Sequence, residues 1–575
     1  MGPLDTQIRL THCLAHEANQ DLRPPTDQIS PAAESRDRSQ GAQKSWEDPL
    51  LVLRRRLLPR RLLRALRQGL PGRRRLVRGC PDRPPAMGRG DGQRAWREIL
   101  SWAESIGIDK PSLRCSRYSP RVSDLSVAGL HRDLSDGNRT VVEVVDHFLQ
   151  VIDEKNPDIN ALVHIDADRA RARAAEHDAG GSPVSVLAGL PTADKDLVQR
   201  AGMPTRYGTA VTSQDNSETS DPMALWVDDV GAISVGKTST SEFGLSASTE
   251  ARASGPTHNP HNLSRIAGGS SGGAAAAVAA GMLPFAPGSD GGGSVRIPAW
   301  ACGVTGWKPS RGLIPAGSGF EYLAGLVVPG LLTHSAADMQ LIASLLTRGE
   351  WHWSTRAGAD WSRLESSARR PLRIGLTTAT PWPTDWGVVP SDDALSAWEQ
   401  AASALRHAGH EVVDVNWSPD QSYADDFFSV WIANASQIPV PDDKVADLEP
   451  LTQFLIERGR ALPASELARA LGALTVFERQ TIAAFSSVDL VLTPGLAMEP
   501  PEIGWFHESD PEENFRQQVA FTPWSSFVNV AGLPALALPV STTDSGMPMG
   551  VQLIGAPGGD PEMIRLAAEL EAVLD

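Results

Sequence analysis

This 575-residue sequence predicts an α/β fold, a mixed central β-sheet with helices on both faces. Three observations carry that expectation. Helix-period and strand-period hydrophobic patterns alternate from about residue 125 to the end, as in a layered α/β core. Hydrophobic residues make up 41% of the chain and charged residues 21%, a balance typical of globular proteins. Two glycine-rich clusters bracket an alanine-rich helix and then run into an apolar Val-Arg-Ile-Pro segment, so they belong to the core and are not linkers.

Residues 1–122 stand apart as an extension to a folded domain at 123–575. Arg54 to Arg78 holds eleven arginines and no acid. Three readings fit it. One is a solvated, disordered extension. The second is a basic amphipathic helix, because Leu57, Leu58, Leu62, Leu63, Leu66 and Leu70 recur at near-helical spacing. The third is an over-extended reading frame with a start nearer Met87.

The folded part begins near Leu125. Thr140-Val141-Val142-Glu143 has the form of a capping box. Val141, Val144, Val145, Phe148, Leu149 and Ile152 then form the stripe of a core-facing helix, which Asn156-Pro157 should stop. Ala161 to Ile165 reads as a strand, Ala167 to His177 as a helix, and Gly231 to Val235 as a short buried strand. Ala274 to Ala280 is a small-residue helix. Leu372 to Leu376, Glu411 to Val415 and Val488 to Thr493 are further strands, with helices at Ser391 to His407 and Pro561 to Leu574. Residues 425–486 are mostly helical, an elaboration at the sheet edge or over the site.

Composition narrows the function. The formal net charge is −16, which disfavours nucleic acid as a partner of the main body. Cys13, Cys80, Cys115 and Cys302 form no CxxC pair and have no histidine at metal spacing, so neither a disulfide framework nor a metal site is expected. Cys302 sits in an apolar Trp-Ala-Cys-Gly context, as a small buried hydrophobe. No transmembrane segment or secretory signal is read, and a reducing cytoplasm is the expected compartment.

The chemistry concentrates in Ile266 to Pro309. Its clusters are Gly268-Gly269-Ser270-Ser271-Gly272-Gly273 and Gly291-Gly292-Gly293-Ser294. Glycine beside serine permits positive φ and lets backbone N–H groups approach a ligand closely. Consecutive amides pointing inward form a nest suited to a developing oxyanion. A serine hydroxyl needs a base. On the C-terminal side of the clusters the nearest histidine is His334; upstream, Pro191-Thr192-Ala193-Asp194-Lys195-Asp196 ends a strand-like segment on a lysine.

Several motifs point elsewhere. Gly231 to Thr238 satisfies the P-loop pattern of an NTPase, but Ile233, Ser234 and Val235 favour a strand where phosphate would need a loop. Ser234-Val235-Gly236-Lys237 spells SxxK, which wants one helix face. Gly268 to Gly272 fits GxSxG, but His261 to Ile266 does not read as the strand a nucleophile elbow requires; an esterase-like α/β-hydrolase with His334 as a distant base stays open.

"PTADKD", "GGSSGG" and "GSDGGGSVRIP" together resemble the amidase signature family, whose members use a Ser–cis-Ser–Lys triad. "GKTSTSEFG", "GPTHNPHN", "GVTGWKPSRG" and "FVNVAGLPALALPV" extend the resemblance over roughly four-fifths of the chain, in the family's order. The resemblance implies the amidase signature fold, Ser294 as nucleophile, Ser270 after a cis peptide as the relay, and Lys195 as base. It implies backbone donors from Gly291, Gly292, Gly293 and Ser294 as oxyanion hole. Ser271, Asp290 and Arg296 are supporting residues, the last two preferred as a structural pair over a substrate contact. It implies hydrolysis of a small-molecule carboxamide through an acyl-enzyme, with neither cofactor nor metal, and a possible homodimer. The transamidating subunit of that family carries a "SLDQIGP"-like stretch that Ala324 to Gly330 replaces here. Phe320, Tyr322 and Leu326 suggest an apolar substrate pocket. A binding subunit on the same fold without catalysis is the alternative, disfavoured by the intact lysine and serines.

A lysine acting as base must be neutral. That asks for a shift of roughly 3 units from its usual value, about 4 kcal/mol against the charged form. Burial beside Leu187, Leu190 and Leu197 would supply it, provided Asp196 points away, onto backbone donors.

Overall fold

The computed structural model describes residues 126–180, 185–314, 323–347, 361, 364 and 370–574. The arginine-rich stretch and the leucines at 57–70 lie outside the described residues, as do Phe320 and Tyr322.

In chain order the helices and strands are α1 (Val127–Ser135), α2 (Val141–Ile159), β1 (Leu162–Ile165), α3 (Ala167–Gly180), β2 (Pro191–Lys195), α4 (Pro222–Asp229) and β3 (Ile233–Thr238). Then come β4 (His258–Asn259), β5 (Asn262–Ile266), α5 (Gly272–Ala279), β6 (Phe285–Asp290), α6 (Arg296–Cys302), β7 (Thr305–Lys308), β8 (Val328–Thr333) and α7 (Ala336–Ala343). The remainder is β9 (Arg373–Leu376), α8 (Asp392–His407), β10 (Glu411–Asp414), α9 (Tyr423–Ala435), α10 (Pro450–Arg460), α11 (Ala464–Phe485) and β11 (Leu490–Pro494). It closes with α12 (Pro511–Phe521), α13 (Ser526–Val530), β12 (Ala535–Thr542), β13 (Pro548–Gly555) and α14 (Asp560–Leu574).

An eight-stranded sheet in the order β10-β9-β11-β13-β12-β7-β8-β6 forms the centre. It is mixed: β10, β9 and β11 run parallel, and the remaining pairings are antiparallel. Side chains alternate across a strand, and β12 uses both faces. Leu536 and Leu538 pack in one cluster with Met563, Ile564 and Leu570 of α14. Ala537, between them, packs in another with Ala299 and Trp300 of α6. Each face therefore carries helices, as the pattern required.

A second, three-stranded sheet, β1-β3-β2, packs beside β6, where Thr192 Oγ1 donates to Phe285 O at 3.0 Å. This contact brings the end of β2 to the serine clusters. Thr140 caps α2 through the expected box. Pro157 does not stop that helix. It lies in the last turn, and the chain leaves the helix three residues on, at Asn160, in the left-handed conformation with φ 55°.

Two further differences concern the competing motifs. The strand read at Gly231 to Val235 occupies Ile233–Thr238, so the lysine of the apparent P-loop lies inside a strand. There Lys237 is buried and donates to Val198 O and to Thr205 Oγ1. Residues before GxSxG do form a strand, β5, contrary to the sequence reading. It belongs to a two-stranded hairpin with β4 and not to the central sheet, so the strand-to-helix elbow is still missing. Among the described residues no helix is long and apolar enough to cross a membrane.

Candidate active site

Lys195 is the last residue of β2, whose five residues are all buried. Its Nζ donates to Ser270 Oγ at 2.7 Å and to Ser289 Oγ at 3.1 Å. Burial lowers its pKa from 10.5 to about 7, against a smaller opposing pull from Asp290. That is the shift the base needs, and the flanking Leu187 and Leu190 are fully buried, as expected.

The neighbouring acids are engaged elsewhere. Asp194 forms a buried pair with Arg200 at 2.5 Å and accepts from Ser234 Oγ at 2.7 Å. This also removes the SxxK reading, because Ser234 sits on a strand and serves Asp194. Asp196 turns to a backbone donor, Arg206 N, at 3.2 Å, as anticipated. Burial nonetheless raises its pKa to about 6.

Ser270 follows a cis peptide at Gly269–Ser270 and is 1% exposed. The two serine loops are tied by one bond, Ser271 N donating to Ser294 O at 3.0 Å. That bond sets Ser294 beside Ser270 on the wall of a shared cavity. Ser294 is half-buried, and its Oγ makes no hydrogen bond among the described residues. The link from Ser270 to Ser294 is thus not closed in this state.

Asp290 and Arg296 hold the Gly291–Ser294 loop. Their side chains, both fully buried, pair through Arg296 Nη2 to Asp290 Oδ1 at 2.8 Å and Arg296 Nε to Asp290 Oδ2 at 3.0 Å. The guanidinium holds the carboxyl well below the usual carboxylate range, despite burial. Asp290 also accepts from Gly293 N at 2.8 Å and Val295 N at 3.1 Å. Neither residue lines the cavity.

This corrects one expectation. The Gly293 amide is committed to Asp290, and among the loop's amides Gly291, Gly292 and Ser294 remain as donors for an oxyanion. Gly293 is needed for shape: its φ is +128°, and a Cβ there would come within 2.7 Å of Ile297 and Ser525.

Sequence reasoning missed several participants. Ser289, one position before Asp290, is a second partner of the lysine. Its place inside "GSDGGGS" was the available signal. Asn529 donates to Asp290 Oδ1 at 2.9 Å and to Leu326 O at 3.1 Å. Ser525 Oγ donates to Gly292 O at 2.6 Å. Both come from "FTPWSSFVNV", far along the chain and unreadable as site residues without the fold.

The cavity over the serines has a volume of about 320 Å³. Leu326 lines it, as expected. So do Trp431, Asn434 and Ala435 on one stripe of α9, which places part of the helical region over the site. Tyr207 and Phe243 stack on its wall with centroids 6.2 Å apart. Both take left-handed backbone conformations, at φ 58° and 49°. Such conformations cost about 1–3 kcal/mol each and are kept where surrounding structure demands them. His334 lines a different cavity, with His261 and Asp338, away from both serines. The described residues hold no cluster suited to a metal. Cys302 is a free, buried thiol whose pKa burial pushes up.

The comparisons agree with this geometry. The amidase family profile matches residues 143–564. A Mycobacterium bovis protein designated AmiB2 is 34% identical over 460 residues, covering 78% of this chain and 97% of that one. A 6-aminohexanoate cyclic dimer hydrolase solved with its substrate superposes with a TM-score of 0.70 at 28% identity, over 78% of this chain and 98% of its own. A bacterial aryl acylamidase of the amidase signature family superposes at 0.68 with 26% identity, over 78% and 96%. A glutamyl-tRNA(Gln) amidotransferase subunit from Thermotoga maritima shares the fold at 0.62 and 24% identity, over 79% and 95%. This chain belongs to the amidase signature family, whose enzymes hydrolyse amide C–N bonds.

Proposed function

We propose that this protein is a serine amidase, converting a carboxamide and water to a carboxylate and an amine or ammonia. The observation that carries the proposal is the buried Lys195 Nζ, 2.7 Å from Ser270 Oγ and with its pKa lowered to about 7. A neutral amine in that position accepts the Ser270 proton, and a hydroxyl can donate and accept at once.

Ser270 in turn takes the proton of Ser294, whose Oγ bonds to the amide carbon. The open Ser270–Ser294 link closes when substrate is seated, since catalytic hydrogen bonds often tighten only in the complex. The carbonyl oxygen, now negative, meets the amides of Gly291, Gly292 and Ser294. Removal of one such donor costs about 3 kcal/mol of transition-state stabilisation. The C–N bond breaks as the proton returns through Ser270 to the leaving nitrogen. Water then attacks the acyl-enzyme along the same relay, releasing the acid and restoring Ser294.

The test is covalent labelling joined to turnover. A fluorophosphonate probe should modify Ser294, and Ser294→Ala should abolish hydrolysis across acetamide, benzamide, a fatty amide and glutamine. Full turnover by purified Ser294→Ala, or adduct formation on another serine, refutes the proposal.

A further inference from the structure

Two cavities, not one, meet at Ser294. The larger, about 320 Å³, also contains Ser270, Ser289 and Gly291. The smaller, about 60 Å³ and open to solvent on one side, contains Gly292 and is lined by Trp382, Phe427 and Phe515. Gly244, Leu245, Ser294 and Trp431 belong to both and form the partition. Among the described residues no lysine, arginine, aspartate or glutamate lines either one. Three contacting aromatic rings form part of the small cavity's wall: Phe427 stacks on Trp431 at 5.6 Å between centroids, and Trp382 meets Phe427 edge-on at 5.6 Å. At roughly 10–15 Å³ per water it holds about four to six water-sized atoms.

The chemistry decides which half of an amide goes where. With the carbon on Ser294 Oγ and the oxygen toward the Gly291 and Gly292 amides, two substituents remain. The nitrogen must face Ser270, which returns its proton. Ser270 lines the large cavity and not the small one. The acyl chain is left with the small cavity.

We infer that this enzyme acts on N-substituted amides of short acids, with a neutral apolar amine, aryl or bulky alkyl, in the large cavity and an acyl group of about two to five carbons in the small one. The inference rests on the serine amidase mechanism proposed above. It also places Leu326, which the sequence had suggested lines an apolar substrate pocket, on the amine side.

The experiment compares four amides with the full chain: acetamide, N-phenylacetamide, octanamide and N-phenyloctanamide. The phenyl ring should raise kcat/KM over acetamide by about a hundredfold, the size of burying one ring. Lengthening acetyl to octanoyl on the anilide should lower it at least about tenfold, because seven carbons beyond the carbonyl exceed the small cavity. Phe515→Ala should narrow the acetyl-to-octanoyl ratio and leave the phenyl effect in place. Octanoyl amides turned over as well as N-phenylacetamide would overturn the inference, as would a Phe515→Ala effect confined to the amine side. Fluorophosphonate labelling separates the two levels. No adduct at Ser294 defeats the serine mechanism itself, whereas an adduct with octanoyl amides preferred, or with none of the four hydrolysed, defeats only the assignment of the cavities.

Discussion

Replacing Lys195 by methionine should remove the proposed base and, by the same physics, stabilise the protein at neutral pH. The native pKa of about 7 lies below the ordinary 10.5 because burial disfavours the charged form. The unfolded chain therefore binds more protons than the native one between those values, and stability rises with pH across the window. At pH 7 the native lysine carries a penalty of about 4 kcal/mol, which falls below about 1 kcal/mol at pH 10. Methionine fills nearly the same volume but forfeits the bonds to Ser270 and Ser289, at about 1 kcal/mol each. The expected net change is a gain of about 2 kcal/mol at pH 7 and a loss of about 1 kcal/mol at pH 10. Urea denaturation of both proteins at the two pH values measures it, and the difference cancels every other titrating group. A variant no more stable at pH 7, or equally stabilised at both pH values, would mean that Lys195 is not a neutral buried amine. Amidase activity should fall by several orders of magnitude at either pH.

Further outcomes follow from the same geometry. In the wild type, kcat/KM should fall about tenfold per unit as pH drops below the Lys195 value of about 7, because the protonated amine cannot accept a proton; a profile flat from pH 5 to 8 would exclude the lysine as base. Lys308 is also buried with its pKa lowered to about 7, yet it touches Pro309 O and not the cavity. Lys308→Met should therefore leave the pH profile of kcat/KM where it is, as a steady-state titration will show. Asp290→Asn breaks a buried ion pair that also holds Gly293 N, so it should cost about 3–5 kcal/mol in chemical denaturation and depress kcat more than it raises KM.

Short-range rules made much of the molecule readable from sequence. The capping box at Thr140, the stripe along α2 and the alanine run of α5 obey spacing rules that tertiary context did not override. Pro157 and β5 escaped for opposite reasons. Ile159, two residues past Pro157, is buried, so packing holds the last turn despite the bond the proline removes, and Asn262-Leu263-Ser264-Arg265-Ile266 is a polar hairpin strand, held by pairing with His258 and Asn259. At the site, Lys195, Ser270 and Ser294 were legible because glycine neighbours and strand ends mark them. Asn529 and Ser525 were not, because their role is to bond a loop more than 230 positions away in the sequence. Gly293 shows the limit of counting glycines as donors: only the fold reveals that its amide already belongs to Asp290.

The arrangement of acids explains how Lys195 can be neutral enough for the role of base proposed for it. A carboxylate beside an ammonium group raises its pKa, and three aspartates lie near this one. Each is held by something else. Asp194 is turned to Arg200 and Ser234, Asp196 to the Arg206 amide, and Asp290 to Arg296 and the nucleophile loop. Of the three, only Asp290 pulls the lysine's pKa upward, and less than burial lowers it. The Asp290–Arg296 pair thus shapes the loop that carries Ser294, and the guanidinium's positive charge opposes the carboxylate's upward pull on Lys195. An arginine-to-glutamine change at position 296 should accordingly raise the pH at which kcat/KM is half-maximal, besides weakening the loop. A variant that loses activity with an unmoved midpoint would confine Arg296 to a packing role.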